Sequence, residues 1–125
     1  MANPDIKNPT SIYGKTTYIT PSGTAAENLL TNSSGSNKIL KTTTLIACNI
    51  DGDNNADCSV TLYDSATAGS GTGYPIISTV TIPFDSTVAL LDKNSPIWIE
   101  EDHRIDVNIS ASGTINFILS YEELN

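Results

Sequence analysis

The densest set of potential ligands in this chain is Asp51-Gly52-Asp53-Asn54-Asn55-Ala56-Asp57, in which three carboxylates and two amides sit among small residues. Oxygen donors of this kind suit calcium, with Asp51, Asp53 and Asp57 as the ligands. The segment lacks the distal bidentate Glu of an EF-hand loop, and strand-like runs flank it. Asp, Asn and Gly are also the residues a tight chain reversal requires, so the segment reads as a solvated turn, with calcium the lesser alternative.

Cys48 and Cys58 flank this turn at what looks like a shared inward parity, which would allow a cross-strand disulfide. Such bridges are strained outside a favourable register, and two buried thiols are the preferred reading. His103, the sole histidine, follows Glu100, Glu101 and Asp102. Consecutive residues of a turn point in different directions, and no second His or Cys pair completes a zinc site or a catalytic pair, so this cluster also reads as a solvated turn. The Gly-rich stretch 65–74 leads into a Pro and a strand-like run rather than a helix N-terminus; it reads as a flexible surface loop, not a phosphate cradle. Carboxylates are plentiful, but one Trp and two Phe are little material for a sugar-cleaving groove. Trp98, Tyr63 and Tyr74 could instead form a small contact face for protein or carbohydrate, with core packing of Trp98 an equal alternative. No catalytic residue and no cofactor is assigned.

The elements that carry these residues are strands. At 125 residues the chain holds one core, and its excess of Thr, Ser, Asn and Ile favours strands and turns over helices. Ile115, Phe117, Leu119 and Tyr121 alternate with polar residues, as do Ile105, Val107 and Ile109, and the intervening Ala111-Ser112-Gly113 suggests a hairpin. Ile46, Cys48 and Ile50 before the acidic turn and Cys58, Val60 and Leu62 after it suggest a second hairpin. Further runs at 76–82, 88–91 and 96–100 bring the expectation to about eight strands in a single antiparallel β-sandwich, jelly-roll-like or Greek-key, with a helical turn expected only at 25–30. Residues 1–15, with Pro4 and Pro9, read as an extended N-terminal arm with little to bury against its own domain, and residues 16–125 as the sandwich.

A net charge of −8 repels phosphate backbones and anionic lipid headgroups, so neither nucleic acid nor membrane is an expected partner. No basic leader with a following apolar stretch and no run long enough for a membrane helix is present, and two cysteines fit a reducing compartment; a soluble protein made in a cytoplasm is expected.

The opening residues 3–16 (NPDIKNPTSIYGKT), the central Leu91-Asp92-Lys93, the step Ile99-Glu100-Glu101-Asp102 and the closing Ser120-Tyr121-Glu122-Glu123 resemble a family of small virion structural proteins of tailed phages, notably phages of aquatic bacteria. The likeness runs through the whole chain and carries no catalytic signature. It implies a sandwich or jelly roll displayed in many copies on the virion surface, as a head decoration or cement protein that binds the major capsid protein and copies of itself, often as a trimer. In that setting Ile6, Ile12 and Tyr13 are the arm residues expected to bury on a partner. A tail, neck or baseplate component and a carbohydrate-binding surface module are the alternatives.

Overall fold

The computed structural model describes residues 3–125 and contains nine strands, with no helix among the described residues. They are β1 (Ile12–Ile19), β2 (Glu27–Asn32), β3 (Ile39–Asn49), β4 (Ala56–Tyr63), β5 (Gly73–Ile82), β6 (Thr87–Leu91), β7 (Trp98–Ile99), β8 (His103–Ile109) and β9 (Ile115–Leu124). One antiparallel sheet has the order β1-β9-β3-β6, with the short β7 continuing the β6 edge of β3; the other has the order β2-β8-β4-β5. The pairs β4–β5, β3–β6, β2–β8 and β1–β9 are the nested rungs of one long hairpin, and rolling that hairpin up adds the pairs β9–β3 and β8–β4. This is a jelly roll, so the all-β sandwich expected from alternation is the architecture found.

The core lies between the two sheets. Phe117, Leu119 and Ile115 of β9, Leu45 and Ala47 of β3, Val60 and Cys58 of β4, and Ile105, Val107 and Ile109 of β8 fill it, all of them buried. Both expected hairpins are wrong as pairings: β3 and β4 lie in opposite sheets, and so do β8 and β9. Alternation reported correctly that the apolar faces meet in one core, but two faces meet there equally well from facing sheets as from neighbouring strands. The parity of β3 is also reversed. Leu45, Ala47 and Asn49 point inward, whereas Ile46 and Cys48 lie on the outer face and Ile50 is exposed. Asn49 misleads because its buried amide is fully used: Nδ2 donates to Asn54 O (3.0 Å) and Ile82 O (2.9 Å), and Oδ1 accepts from the Asp51 N–H (2.9 Å).

The helical turn expected at 25–30 is instead the start of β2, where a bulge between Asn28 and Leu30 lets both Leu29 and Leu30 face the core. The arm boundary at residue 15 falls inside β1, which is paired with β9 from Ile12↔Leu124 to Ile19↔Phe117. Ahead of it, residues 3–11 lie along their own domain. Thr10 and Ser11 donate to the Asn125 carbonyl, Asn125 donates back to Ser11, and Asn3 Nδ2 reaches Glu100 Oε1 at 2.7 Å.

The end of β1 and β9 carries one ion triad: Glu123 Oε2 lies 3.1 Å from Lys15 Nζ and 3.4 Å from Lys38 Nζ. Partial burial, the largest single influence on Glu123, works to raise its carboxyl, but the hydrogen bonds and charges of Lys15 and then Lys38 together hold it below its ordinary value. The Glu123 hydrogen bond raises Lys15 in turn. A carboxyl lowered in the folded state stabilises above its unfolded value near 4.5, and that contribution is lost as pH falls through the lowered folded value. Melting temperature should therefore drop on acidification below about pH 5, and Glu123→Gln should flatten part of that drop, as thermal melts across an acid pH series would read.

Candidate interaction surface

Each residue singled out in the sequence has a place in this fold. The acidic turn does not converge. Asp51 bends back on its own loop, accepting from the Asp53 N–H (2.8 Å) and the Asn54 N–H (3.3 Å), and the Asp53 bond is the leading cause that lowers its carboxyl. Asp53 is exposed, while Asp57 sits in β4 and accepts from Thr81 Oγ1 at 2.6 Å. Among the described residues no group of three His, Cys, Asp or Glu is placed to hold a metal ion.

The cysteines are free and in opposite sheets, Cys58 buried and Cys48 half-buried on the outer face. Burial pushes the Cys58 thiol up to about 11, so at pH 8 roughly one molecule in a thousand carries the thiolate. A colorimetric thiol titration of the native protein should find at most one reactive cysteine, Cys48, with Cys58 reacting only on unfolding.

The turn before β8 is not the solvated loop expected. Glu101 is buried, and its carboxylate accepts from the Gly35 N–H (3.1 Å) and the Asn37 N–H (3.0 Å), pinning the β2–β3 connection. Asp102 adopts a left-handed φ of 63° and accepts from the Ala66 N–H. His103 Nδ1 lies 4.0 Å from Glu100 Oε2, a loose pair.

The Gly-rich loop is likewise organised. It folds over the outer face of the β2-β8-β4-β5 sheet onto Arg104, the only arginine in the sequence, which is 2% exposed. The Arg104 Nη1 donates to the carbonyls of Ser65 (2.5 Å), Thr67 (2.8 Å) and Ser70 (3.0 Å); Nε donates to Asp106 Oδ2 at 3.1 Å; and the guanidinium lies 4.0 Å from the centre of the Tyr63 ring. Gly71, at a φ of +82°, has no room for a Cβ, which would come within 2.6 Å of the Asp64 carboxylate. The loop therefore holds one shape because carbonyls converge on a buried cation, a signal that a lone arginine on the polar parity of a strand could have given.

The aromatic trio is not one face. Tyr63 is half-buried under Arg104 opposite Gly73, Tyr74 is exposed on β5 opposite Leu62, and Trp98 lies on the other sheet. Trp98 points outward, with Lys41 Nζ 5.6 Å from its ring centre, and borders a cleft shared with Ile6, Ile39 and Glu100. Ile6, Ile12 and Tyr13 are each more than half exposed. Two further exposed apolar residues escaped the sequence reading: Tyr18 at 77%, toward the far end of β1, and Ile118 at 36%, cross-strand partners on the outer face of the β1-β9-β3-β6 sheet. Ile118 occupies the polar parity of β9 among Asn116 and Ser120, which was the available signal.

The class these features define is a jelly-roll module with an exposed, apolar N-terminal edge. No family model and no curated protein matches the chain. Among solved structures it is similar to a chain of the T13 IBDV viral particle, at 10% identity and a TM-score of 0.50, over 99% of this chain and 35% of that one. The chain thus spans about a third of that viral chain's length. It is also similar to a chain of the disulfide-linked pili that form Bacillus endospore appendages, at 10% identity and a TM-score of 0.48, over 98% and 96% of the two chains. At 10% identity the viral-particle likeness is one of fold.

Proposed function

We propose that this chain is a non-catalytic structural module of a virion surface, a decoration or cement protein that binds the major capsid protein and couples its subunits. The observation that carries this reading is the N-terminal edge. β1 is an outer strand of its sheet, eight residues long, and Ile12 and Tyr13 on it and Ile6 ahead of it are exposed. A free strand edge offers a row of backbone donors and acceptors to an extended partner segment, and exposed apolar side chains along it add affinity. Many copies docked in this way bridge neighbouring subunits and stabilise a lattice by multivalency. The fold likeness to a viral-particle chain and the resemblance to phage virion proteins support the same reading.

Because β1 begins at Ile12, deleting residues 1–15 would cut into a paired strand, and point changes are the cleaner test. Ile6→Asp and Tyr13→Asp should each leave the melting temperature unchanged and weaken binding to purified capsids by about tenfold or more. Quantifying the protein in purified particles completes the test: hundreds of copies fit a head lattice, a few copies fit a tail or baseplate, and absence from particles would refute the proposal.

A further inference from the structure

We propose that the outer face of the β1-β9-β3-β6 sheet is a two-fold contact surface for a second copy of this chain. The strand register lays Tyr18, Ile118, Ile46 and Ala89 in one row across all four strands, through the pairs Tyr18↔Ile118, Ile46↔Ile118 and Ile46↔Ala89. The row on one side is Thr16, Ser120 and Thr44, and the row on the other is Asn116, Cys48 and Thr87. None of the chain's 14 acidic residues and none of its 6 basic residues falls in these three rows.

That absence matters because the whole molecule carries −8. Two such copies repel wherever carboxylates face carboxylates, so a self-contact needs a surface without net charge, and these rows are one. Four strands about 4.8 Å apart and about five residues deep span roughly 19 by 17 Å, a small footprint that fits a weak, concentration-dependent contact.

The apolar row also tapers, from the protruding Tyr18 at one edge through two isoleucines to Ala89 at the other. A two-fold axis lying in the contact plane, parallel to the strands and between β9 and β3, reverses the row on the second copy. Tyr18 then meets Ala89 of the second copy, and Ile118 meets its Ile46, so the large side chain faces the small one at both ends. A face complementary to itself under a two-fold is what an isologous dimer requires, and two sheet faces stacked in this way repeat the packing of the sandwich interior. This contact is separate from the capsid-binding edge at Ile6 and Tyr13, and it holds whether or not the capsid is the partner.

Sedimentation equilibrium of the full chain over a concentration series tests it. The protein should sediment as a dimer that tightens as salt is raised, because salt screens the repulsion between the like-charged copies. Ile118→Glu and Ala89→Glu, both on the solvent side of the monomer, should each weaken the dimer by at least about tenfold with the melting temperature of the monomer unchanged. A monomer at every concentration, a trimer, or a dimer indifferent to both substitutions overturns the proposal. The geometry is read by oxidation in a Cys48→Ser background: Tyr18→Cys with Ala89→Cys should cross-link two copies, and equal cross-linking by Tyr18→Cys alone overturns the reversed row.

Discussion

Arg104→Ala should cost about 3–5 kcal/mol of folding stability, the range for removing one partner of a buried ion pair. The guanidinium is 2% exposed and is the hub of four hydrogen bonds, three to loop carbonyls and one to Asp106. Truncation leaves the Asp106 carboxylate, itself 7% exposed, with the Asn28 amide at 3.2 Å, and it strands the carbonyls of Ser65 and Ser70, while the Thr67 carbonyl keeps the Ser70 N–H. For a chain of this size the loss corresponds to a fall of roughly 10 °C or more in melting temperature. The effect should also be localised: backbone amides of residues 65–72 should lose hydrogen-exchange protection before the rest of the fold does, and limited proteolysis should cut there first. Arg104→Lys should recover little, since an ammonium is a point donor that cannot hold three carbonyls and a carboxylate in one plane while stacking on Tyr63. Equal protection of the loop in wild type and Arg104→Ala would show that the loop is ordered by its own turns.

That loop marks where sequence reasoning stopped. Period-two alternation located most of the strands and the apolar faces of β4, β8 and β9, because alternation is a local property written residue by residue. Pairing is not local. The alternation of β8 and β9 is the same whether they are neighbours or face each other across the core, and the jelly roll chooses the second by long-range pairings such as β1–β9 and β2–β8. The parity of β3 was illegible for a different reason. Both of its faces are apolar, Leu45 and Ala47 on one and Ile46 and Cys48 on the other, and the residue that would have decided, Asn49, is a buried amide that looks like a solvent residue. The same ambiguity hid the proposed contact face: an outward Ile46 and Ile118 read from sequence as core or as noise, and only the register reveals that they adjoin Tyr18 and Ala89. Ile6, Ile12 and Tyr13 are exposed, but Ile12 and Tyr13, read as part of an unpaired arm, lie in the paired strand β1, whose pairing with β9 is long-range and left no local signal.

Phe117→Ala should have an effect of the same size by another route, about 3–5 kcal/mol, the range for deleting a buried aromatic ring. Phe117 is the largest fully buried side chain, and β9 is an inner strand flanked by β1 and β3, so no edge can close in on the space left behind. Its cross-strand neighbours are Ile19 on one side and Ala47 on the other. The cavity therefore opens at the middle of the sheet, where the pairings of β9 with both neighbours hold the backbone apart, and the loss should lie near the top of that range. Phe117→Leu, which keeps most of the volume, should cost clearly less. Chemical denaturation at two wavelengths would read both variants, with an unchanged slope showing that the native state keeps its compactness. Ile118, one residue along, is the internal control: its side chain leaves the same strand on the opposite face, so Ile118→Glu should leave the denaturation midpoint of the monomer nearly where it was. If Phe117→Ala proved as mild as Ile118→Glu, the inward parity of β9 would be wrong, and with it the outward row Tyr18, Ile118, Ile46 and Ala89 on which the two-fold contact depends.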